Sequence, residues 1–500
     1  MLMKYFIAID QSTSATKALL FDSECRMLAS ASVSHEQFYP HEGWVEHDAM
    51  EIYNYTVRAI RQLLDGRDIS KDEYILAITN QRETVVAWDR TTGLPVYNAL
   101  VWQDTRGAEL CQEWRRQPDL EKLVVERTGL KIDPSFCASK MRWLLDNVEG
   151  AREKAERGDV LLGTIDTWLV WKLTGGKTFA TDHTNASRTM LFDIHTLQWD
   201  DDLCRALNIP KACLAEPHPA DAVYGETTVD GLFARPITIA GVLGDSHAAL
   251  LGQMCFAPGT GKVTYGTGSS VMLNIGEKCH KAPEGLVSSI AFSIQGKTFY
   301  AYEGNIYSTG ATLKWMTDQL QLIDSPADTD EIASSVESSG GVYLVPAFAG
   351  LGAPWWQDKM RAAILGMTFS TTKAQVVRAA VESIAFQVTD LVKAMTAGTG
   401  IDIKEISADG GPTHNKFLMQ LQADLLGADI VTTDVSDASA LGAAVAAGFA
   451  TGLWPSTDEA AKLKNIVGRV KPNADTASVS KAYEGWRRAV TALAKASEIL

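Results

Sequence analysis

Residues 7–22, IAIDQSTSATKALLFD, constrain this chain more than any other stretch. Apolar letters flank a short polar segment, which predicts a strand, a tight turn and a second strand folding back on the first. Gln11, Ser12, Thr13 and Ser14 place backbone N–H groups and hydroxyls in that turn, a composition able to wrap the oxygens of a polyphosphate. Asp10 closes the first strand, where a carboxylate can hold Mg²⁺ through water. An ordinary hairpin has the same letters, so the reading depends on its company. Residues 263–275, VTYGTGSSVMLNI, supply it: Gly, Thr and Ser again sit between two apolar strands. The repeat is architectural rather than textual.

The 500 residues, 46% of them apolar, can bury a large core. At ~150 residues per domain such a chain makes two or three domains, and two is the reading adopted. A net charge of −15, with no basic block, argues against a nucleic-acid partner. Seven cysteines without C-x-x-C spacing fit reduced thiols in a cytoplasmic protein better than a disulfide frame or a zinc site. Residues 1–11 contain no apolar run long enough for a signal peptide before Asp10 interrupts. Residues 438–454 come nearest to a membrane span, but they are short and rich in Ala and Gly, so a closely packed buried helix is expected and no membrane partner.

Between the hairpins, residues 50–64 and 139–147 read as helices and residues 74–79 and 237–240 as strands. Beyond the second hairpin follow a strand at 342–347, a helix at 373–395 and a strand entering Asp409. Alternation of this kind in both halves means an α/β class. The best seam is the Pro-Gly stretch at 256–261, which sets a boundary after Met254 and domains of 1–254 and 255–500. Two halves with a phosphate-type turn each imply a nucleotide in the cleft between them.

Two familiar phosphate motifs fail. GTGKVT at 259–264 misses the P-loop spacing at both ends, and Gly350 and Gly352 run into Trp355 where a dinucleotide fingerprint needs its third glycine. Asp409, Gly410 and Gly411 leave a strand for a helix that opens near Asn415, letting the backbone approach a flat ligand such as adenine; a plain strand-to-helix turn reads the same. Gly310 opens a comparable helix carrying Lys314. Asp245 ends the apolar strand ITIAGVLGD and begins a helix near the seam, which suits a base for phosphoryl transfer to an alcohol and equally a helix cap. Arg82 and Glu83 set a donor fork beside an acceptor, the pairing a polyhydroxylated ligand needs, or a surface ion pair. Trp102 can pack on the carbon face of the same ligand or in the core.

Together these letters resemble the FGGY carbohydrate kinases, and within them the glycerol kinases. The resemblance spans residues 5–486, and its most specific blocks are GWVEHD at 43–48, TNQRET at 79–84, TNASRTMLF at 184–192, PAFAGLGAPWW at 346–356 and ALGAA at 440–444. Residues 362–382 fit the family's second signature, whereas the first, around 136–147, has Cys137 where Pro, Ser or Thr is usual. The resemblance implies a two-domain actin-like ATPase fold, ribonuclease H-like in each half, with Mg·ATP and a polyol meeting in a central inter-domain cleft. It implies that Asp10 belongs to the metal region, that Thr13, Ser14 and Thr267 contact the nucleotide phosphates, and that Gly310, Gly411 and Asn415 border the adenosine. Asp245 becomes the catalytic base, and Arg82, Glu83 and Trp102 the polyol-holding residues. A homodimer or homotetramer is the assembly such relatives adopt.

This chain also departs from that pattern. The tyrosine, glutamine and phenylalanine of the family's glycerol pocket become Ser135, Ser246 and Ser270, which should widen the pocket and add hydroxyl partners. Lys17 replaces an arginine and Lys314 a glutamine beside the nucleotide. The expected reaction is ATP-dependent phosphorylation of a terminal hydroxyl, of glycerol first, with a four- or five-carbon polyol or ketose as the alternative. A reading from a different class is an actin- or chaperone-like ATPase with no small-molecule acceptor, against which Arg82, Glu83 and Trp102 speak.

Overall fold

The computed structural model describes residues 3–435, 437–473 and 475–497. Two large sheets dominate it. The first contains β1 (Lys4–Gln11), β2 (Ala15–Phe21), β3 (Met27–Ser34), β4 (Glu73–Asn80), β5 (Val223–Thr227) and β6 (Ile237–Gly244), in the order β5-β6-β4-β1-β2-β3. β1 pairs antiparallel with β2 and parallel with β4, and β4 pairs parallel with β6. The second contains β7 (Thr260–Tyr265), β8 (Ser269–Gly276), β9 (Val287–Ile294), β10 (Lys297–Ile306), β11 (Glu405–Asp409), β12 (Asp429–Thr433) and β13 (Ile466–Val470), in the order β9-β10-β8-β7-β11-β12-β13. Here β7 pairs antiparallel with β8 and parallel with β11, which pairs parallel with β12.

The two sheets therefore repeat one plan: a hairpin whose first strand continues into a parallel set. The expected echo between residues 7–22 and 263–275 is this repeat. Phe6, Ile7, Ala8 and Ile9 are all fully buried, as a central strand covered on both faces requires, so their apolar letters run together instead of alternating. The edge strand β3 is largely open to solvent and alternates accordingly.

The helices that matter to the cleft are α1 (Asp245–Gly252), α2 (Gly310–Asp318), α3 (Lys373–Thr396), α4 (Lys416–Leu426) and α5 (Ala438–Ala450). A Thr372/Gln375 capping box starts α3, satisfying end N–H groups that otherwise lack partners. α5 is the buried Ala/Gly helix expected within residues 438–454 and ends at Ala450, and no described helix is long and apolar enough to cross a membrane. Its composition follows from its packing: a Cβ on Gly442 would stand 1.8 Å from the Ala248 carbonyl oxygen in α1. Backbones that close admit no side chain. Gly442→Val is expected to destabilise the protein by about 3 kcal/mol or more through overpacking, read as a lower thermal-unfolding midpoint; an unchanged midpoint would mean that the α1–α5 contact carries little.

Candidate active site

The carboxyl ends of β1, β4 and β6 lie side by side, so Asp10, Arg82 and Asp245 emerge along one edge of the first sheet. Gly244 rather than Asp245 is the cap residue of α1, and among the described residues the Asp245 carboxylate accepts from the adjacent Ser246 N–H at 2.6 Å and from Arg82 Nε at 3.1 Å. Its side chain is 38% exposed because it faces the cleft. Desolvation by the protein around it pushes its carboxyl above the usual range, with Arg82 opposing and Glu83 adding to the rise.

Arg82 is held from several sides. Nη2 donates to Glu303 Oε1 at 2.7 Å and Nη1 to His247 Nε2 at 3.1 Å. Burial and the Arg82 charge push the His247 imidazole well below its usual range, so the neutral ring serves as acceptor. Glu303, on β10 of the second sheet, also accepts from Arg188 Nη1 at 2.6 Å, and Arg188 Nε reaches Glu83 at 2.5 Å. The result is a buried chain of alternating charge, Glu83–Arg188–Glu303–Arg82–Asp245, joining the two halves. Burial opposes charge on Glu303, but Arg188 and Arg82 outweigh it and hold its carboxyl far below the ordinary range. Glu83 has φ +62°, a left-handed backbone that L side chains seldom adopt and that clusters at functional sites.

Trp102 follows a small sheet of Glu46–His47, Ala99–Leu100, Val85–Asp89 and Val160–Thr164. Its indole N–H donates to Thr13 Oγ1 at 3.0 Å, tying the first polar turn to the Arg82 side of the cleft. Thr13, Arg82, Glu83, Trp102 and Asp245 line one cavity of about 520 Å³ together with Ser135. Ser246 and Ser270 do not line it. The Ser246 N–H turns to Asp245, and Ser270 Oγ accepts from the buried Lys262 Nζ at 3.2 Å.

The polar turns have their own partners. Lys17 Nζ lies 2.9 Å from Asp437 and 3.9 Å from Asp10, another link between the halves. Desolvation opposes the Lys17 charge, but Asp437 and Asp10 overcome it and raise the ammonium above its usual range. Asp10 is 7% exposed; its burial, then the nearby Asp437, raise its carboxyl. A cation is what such an acidic, desolvated corner favours, although no group of three or more metal-binding side chains occurs among the described residues. Mg²⁺ needs only one or two carboxylates beside phosphate oxygens and water, so Asp10 fits it. Ser14 stands exposed at the tip of the same turn.

In the second hairpin the Thr267 carbonyl accepts from the Thr309 and Ala311 N–H groups at 3.0 Å, and Gly310 N–H bonds Gly266 O at 3.0 Å. The β7–β8 turn therefore carries the start of α2. Gly410, at φ +95°, passes so close to Tyr265 that a Cβ would stand 2.0 Å from its carbonyl oxygen, while beside Gly411 there is open space. Asn415 caps α4 as expected, but its side chain is spent internally, accepting from Leu418 N–H at 2.7 Å and donating to Thr329 Oγ1 at 3.0 Å. Lys314 is exposed on α2 and pairs with Asp318 at 2.5 Å.

The model for the FGGY family of carbohydrate kinases, N-terminal domain, matches residues 5–252, and that for its C-terminal domain matches residues 261–451. The chain belongs to the FGGY family of carbohydrate kinases. Among similar FGGY proteins are a glycerol kinase of Carboxydothermus hydrogenoformans, 47% identical over 98% of both chains, and one of Shewanella piezotolerans, 47% identical over 97% of this chain and 99% of that one. A crystal structure of Plasmodium falciparum glycerol kinase with ADP superposes with a TM-score of 0.93 at 37% identity, covering 98% of each chain. The two-domain actin-like fold expected of the FGGY family is the fold observed.

Reading from sequence missed Arg188, Glu303 and His247. Glu303 left a signal: one carboxylate inside the continuously buried run FYAYEG at 299–304. Arg188 lay within the TNASRTMLF block, where nothing in the spacing tied it to Glu83.

Proposed function

We propose that this protein transfers the γ-phosphoryl group of Mg·ATP to a terminal hydroxyl of a small polyol, with glycerol as the first acceptor to test. The observation carrying this reading is Asp245, a desolvated carboxylate open to the cleft and held by Arg82. The names of the relatives and the ADP of the Plasmodium crystal structure support it.

Asp245 takes the proton of the attacking hydroxyl as the O–P bond forms, and ADP leaves. Arg82, Glu83 and Trp102 orient the polyol, with Ser135 beside them on the cavity wall, while Ser246 and Ser270 act through their neighbours Asp245 and Lys262. Thr13, Ser14, Lys17 and Thr267 offer hydroxyls, N–H groups and positive charge to the phosphates, while Gly310, Lys314, Gly411 and Asn415 border the adenosine. Asp10 would hold Mg²⁺, which when bound neutralises phosphate charge. The units we assign are residues 1–254 and 255–500, the gap between the two family matches falling across the boundary. Cytoplasmic placement, supported by seven free thiols, completes the proposal.

ADP release measured with and without polyols tests it: strong stimulation by at least one polyol is expected, and an ATPase indifferent to all of them would refute it in favour of a chaperone-like machine. The pH profile is a second check. Asp245 must be ionised to act, so kcat/KM should fall as pH drops through its raised pKa. That acid limb is expected above the range of an ordinary aspartate, about 3.9; an acid limb at or below that value would remove Asp245 from the role.

A further inference from the structure

Trp102 reaches the first polar turn by a short route and a long one. On the short route its indole N–H donates to Thr13 Oγ1 at 3.0 Å. The long route starts at the Trp102 backbone N–H, which donates to Thr84 Oγ1 at 3.2 Å. Thr84 Oγ1 then donates to Gln81 Oε1 at 2.9 Å, Gln81 Nε2 to Gln11 Oε1 at 3.1 Å, and Gln11 Nε2 to the Ser12 carbonyl at 2.8 Å. A main-chain bond of 2.7 Å from Gln81 N–H to the Gln11 carbonyl runs alongside. Both routes end on neighbouring residues of the turn, so they close a ring. Along each route every donor points away from Trp102, and hydrogen bonds aligned in one sense polarise one another.

The ring encloses the residues read as gripping the polyol. Gln81 and Thr84 flank Arg82 and Glu83 directly, and the left-handed backbone at Glu83 lies between them. Gln11, Gln81 and Thr84 are shut off from solvent. Amides and hydroxyls buried in this way cost free energy unless they are bonded, so the long route is a fixed part of the fold. The short route differs: Trp102 is 39% exposed and Thr13 is half-buried, which makes the indole bond the link that water weakens.

We infer that Thr84 and Gln81 are positioning residues that couple acceptor binding to nucleotide binding, through the hydrogen-bonded ring joining Trp102 to the first polar turn. This rests on the phosphoryl-transfer reading above and deepens it by adding a regulation of the same site. A polyol lying on the Trp102 ring removes water from the indole bond, and a bond shielded from water is electrostatically stronger. Thr13 Oγ1 accepts that bond and keeps its own proton to donate to a phosphate oxygen. A hydroxyl that accepts more strongly donates more strongly. The polyol thus improves the hold on phosphate, and linkage requires the nucleotide to improve the hold on the polyol by the same factor. Thr84 and Gln81 fix the Trp102 backbone against the turn, which keeps the indole aimed at Thr13. Every member of the ring lies between positions 11 and 102, within the first half, so this coupling does not need the halves to move.

Calorimetry on the full chain tests it, with the polyol that best stimulates ADP release titrated alone and at saturating Mg²⁺ complex of a non-hydrolysable ATP analogue. Polyol affinity should rise about tenfold with the nucleotide present, within the usual range of coupling between sites. In Thr84→Val, which keeps the volume and deletes the hydroxyl, the gain should fall below twofold, and Thr84→Ser should restore it. Trp102→Phe keeps an aromatic face at the exposed end of the ring and removes the indole N–H; it should lose the gain at an unchanged unfolding midpoint, so the test does not depend on how well Thr84→Val folds. In both variants KM for Mg·ATP at saturating polyol should rise about fivefold while nucleotide Kd without polyol stays within twofold of the parent, a split that general loosening of the fold would not give. No gain in the parent, or a gain that survives in either variant, would overturn the inference and leave the kinase reading intact; survival would assign the coupling to closure of the two halves. ADP release indifferent to every polyol would bring down the kinase reading and the inference with it.

Discussion

Asp245→Asn is expected to lower kcat by about 10²–10⁴-fold, the usual contribution of a positioned general base, with nucleotide affinity close to unchanged. Asparagine keeps the volume of the side chain and its contact with Ser246 N–H but cannot take up a proton. The fold should tolerate the change, because Arg82 retains Glu303 at 2.7 Å and His247 at 3.1 Å when its 3.1 Å contact to Asp245 weakens. Steady-state kinetics with a polyol, alongside nucleotide binding by calorimetry, separate the two effects. Turnover within a factor of a few of the parent would assign proton removal to another group.

Glu303→Gln should have the largest effect on stability. Glu303 is 2% exposed and is the shared partner of two guanidiniums, those of Arg82 and Arg188, which are themselves 9% and 6% exposed. Removing its charge leaves two buried cations facing a neutral amide, and breaking a buried ion pair from one side costs about 3–5 kcal/mol. Because the same network orients Arg82 and Glu83 and joins the two halves, KM for the polyol should rise with the loss of stability. Chemical denaturation and acceptor kinetics at saturating Mg·ATP measure both; a variant with the parent midpoint and KM would show that the charge chain does not organise the cleft.

Much of the fold was legible because periodicity and turn chemistry are local. The helix expected over 373–395 is Lys373–Thr396, and the strands expected over 74–79 and 237–240 are Glu73–Asn80 and Ile237–Gly244. The strand expected over 342–347 shrinks to Tyr343–Val345, where only a two-stranded pairing supports it. Of the candidate site, the placement of Asp245 at the end of an apolar strand and the start of a helix was legible. Ser246 and Ser270 show the limit of such reading, because matching positions does not say which wall of a cavity a side chain faces. Lys314 and Asn415 show another: a polar residue in the right place can have its polar atoms satisfied by its own neighbourhood.

Sequence alone determined that two α/β halves with polar hairpin turns would form, since strand runs, glycine turns and helix caps each act within a few residues. Only the tertiary structure decided that Glu303 bridges Arg82 and Arg188, that α5 packs on α1 closely enough to exclude a side chain, and that Lys131, Asn305 and Tyr307 share a cavity with Asp245. Those juxtapositions join residues far apart along the chain. They depend on how two sheets and their helices are stacked, a matter of long-range packing and buried charge that no local pattern encodes.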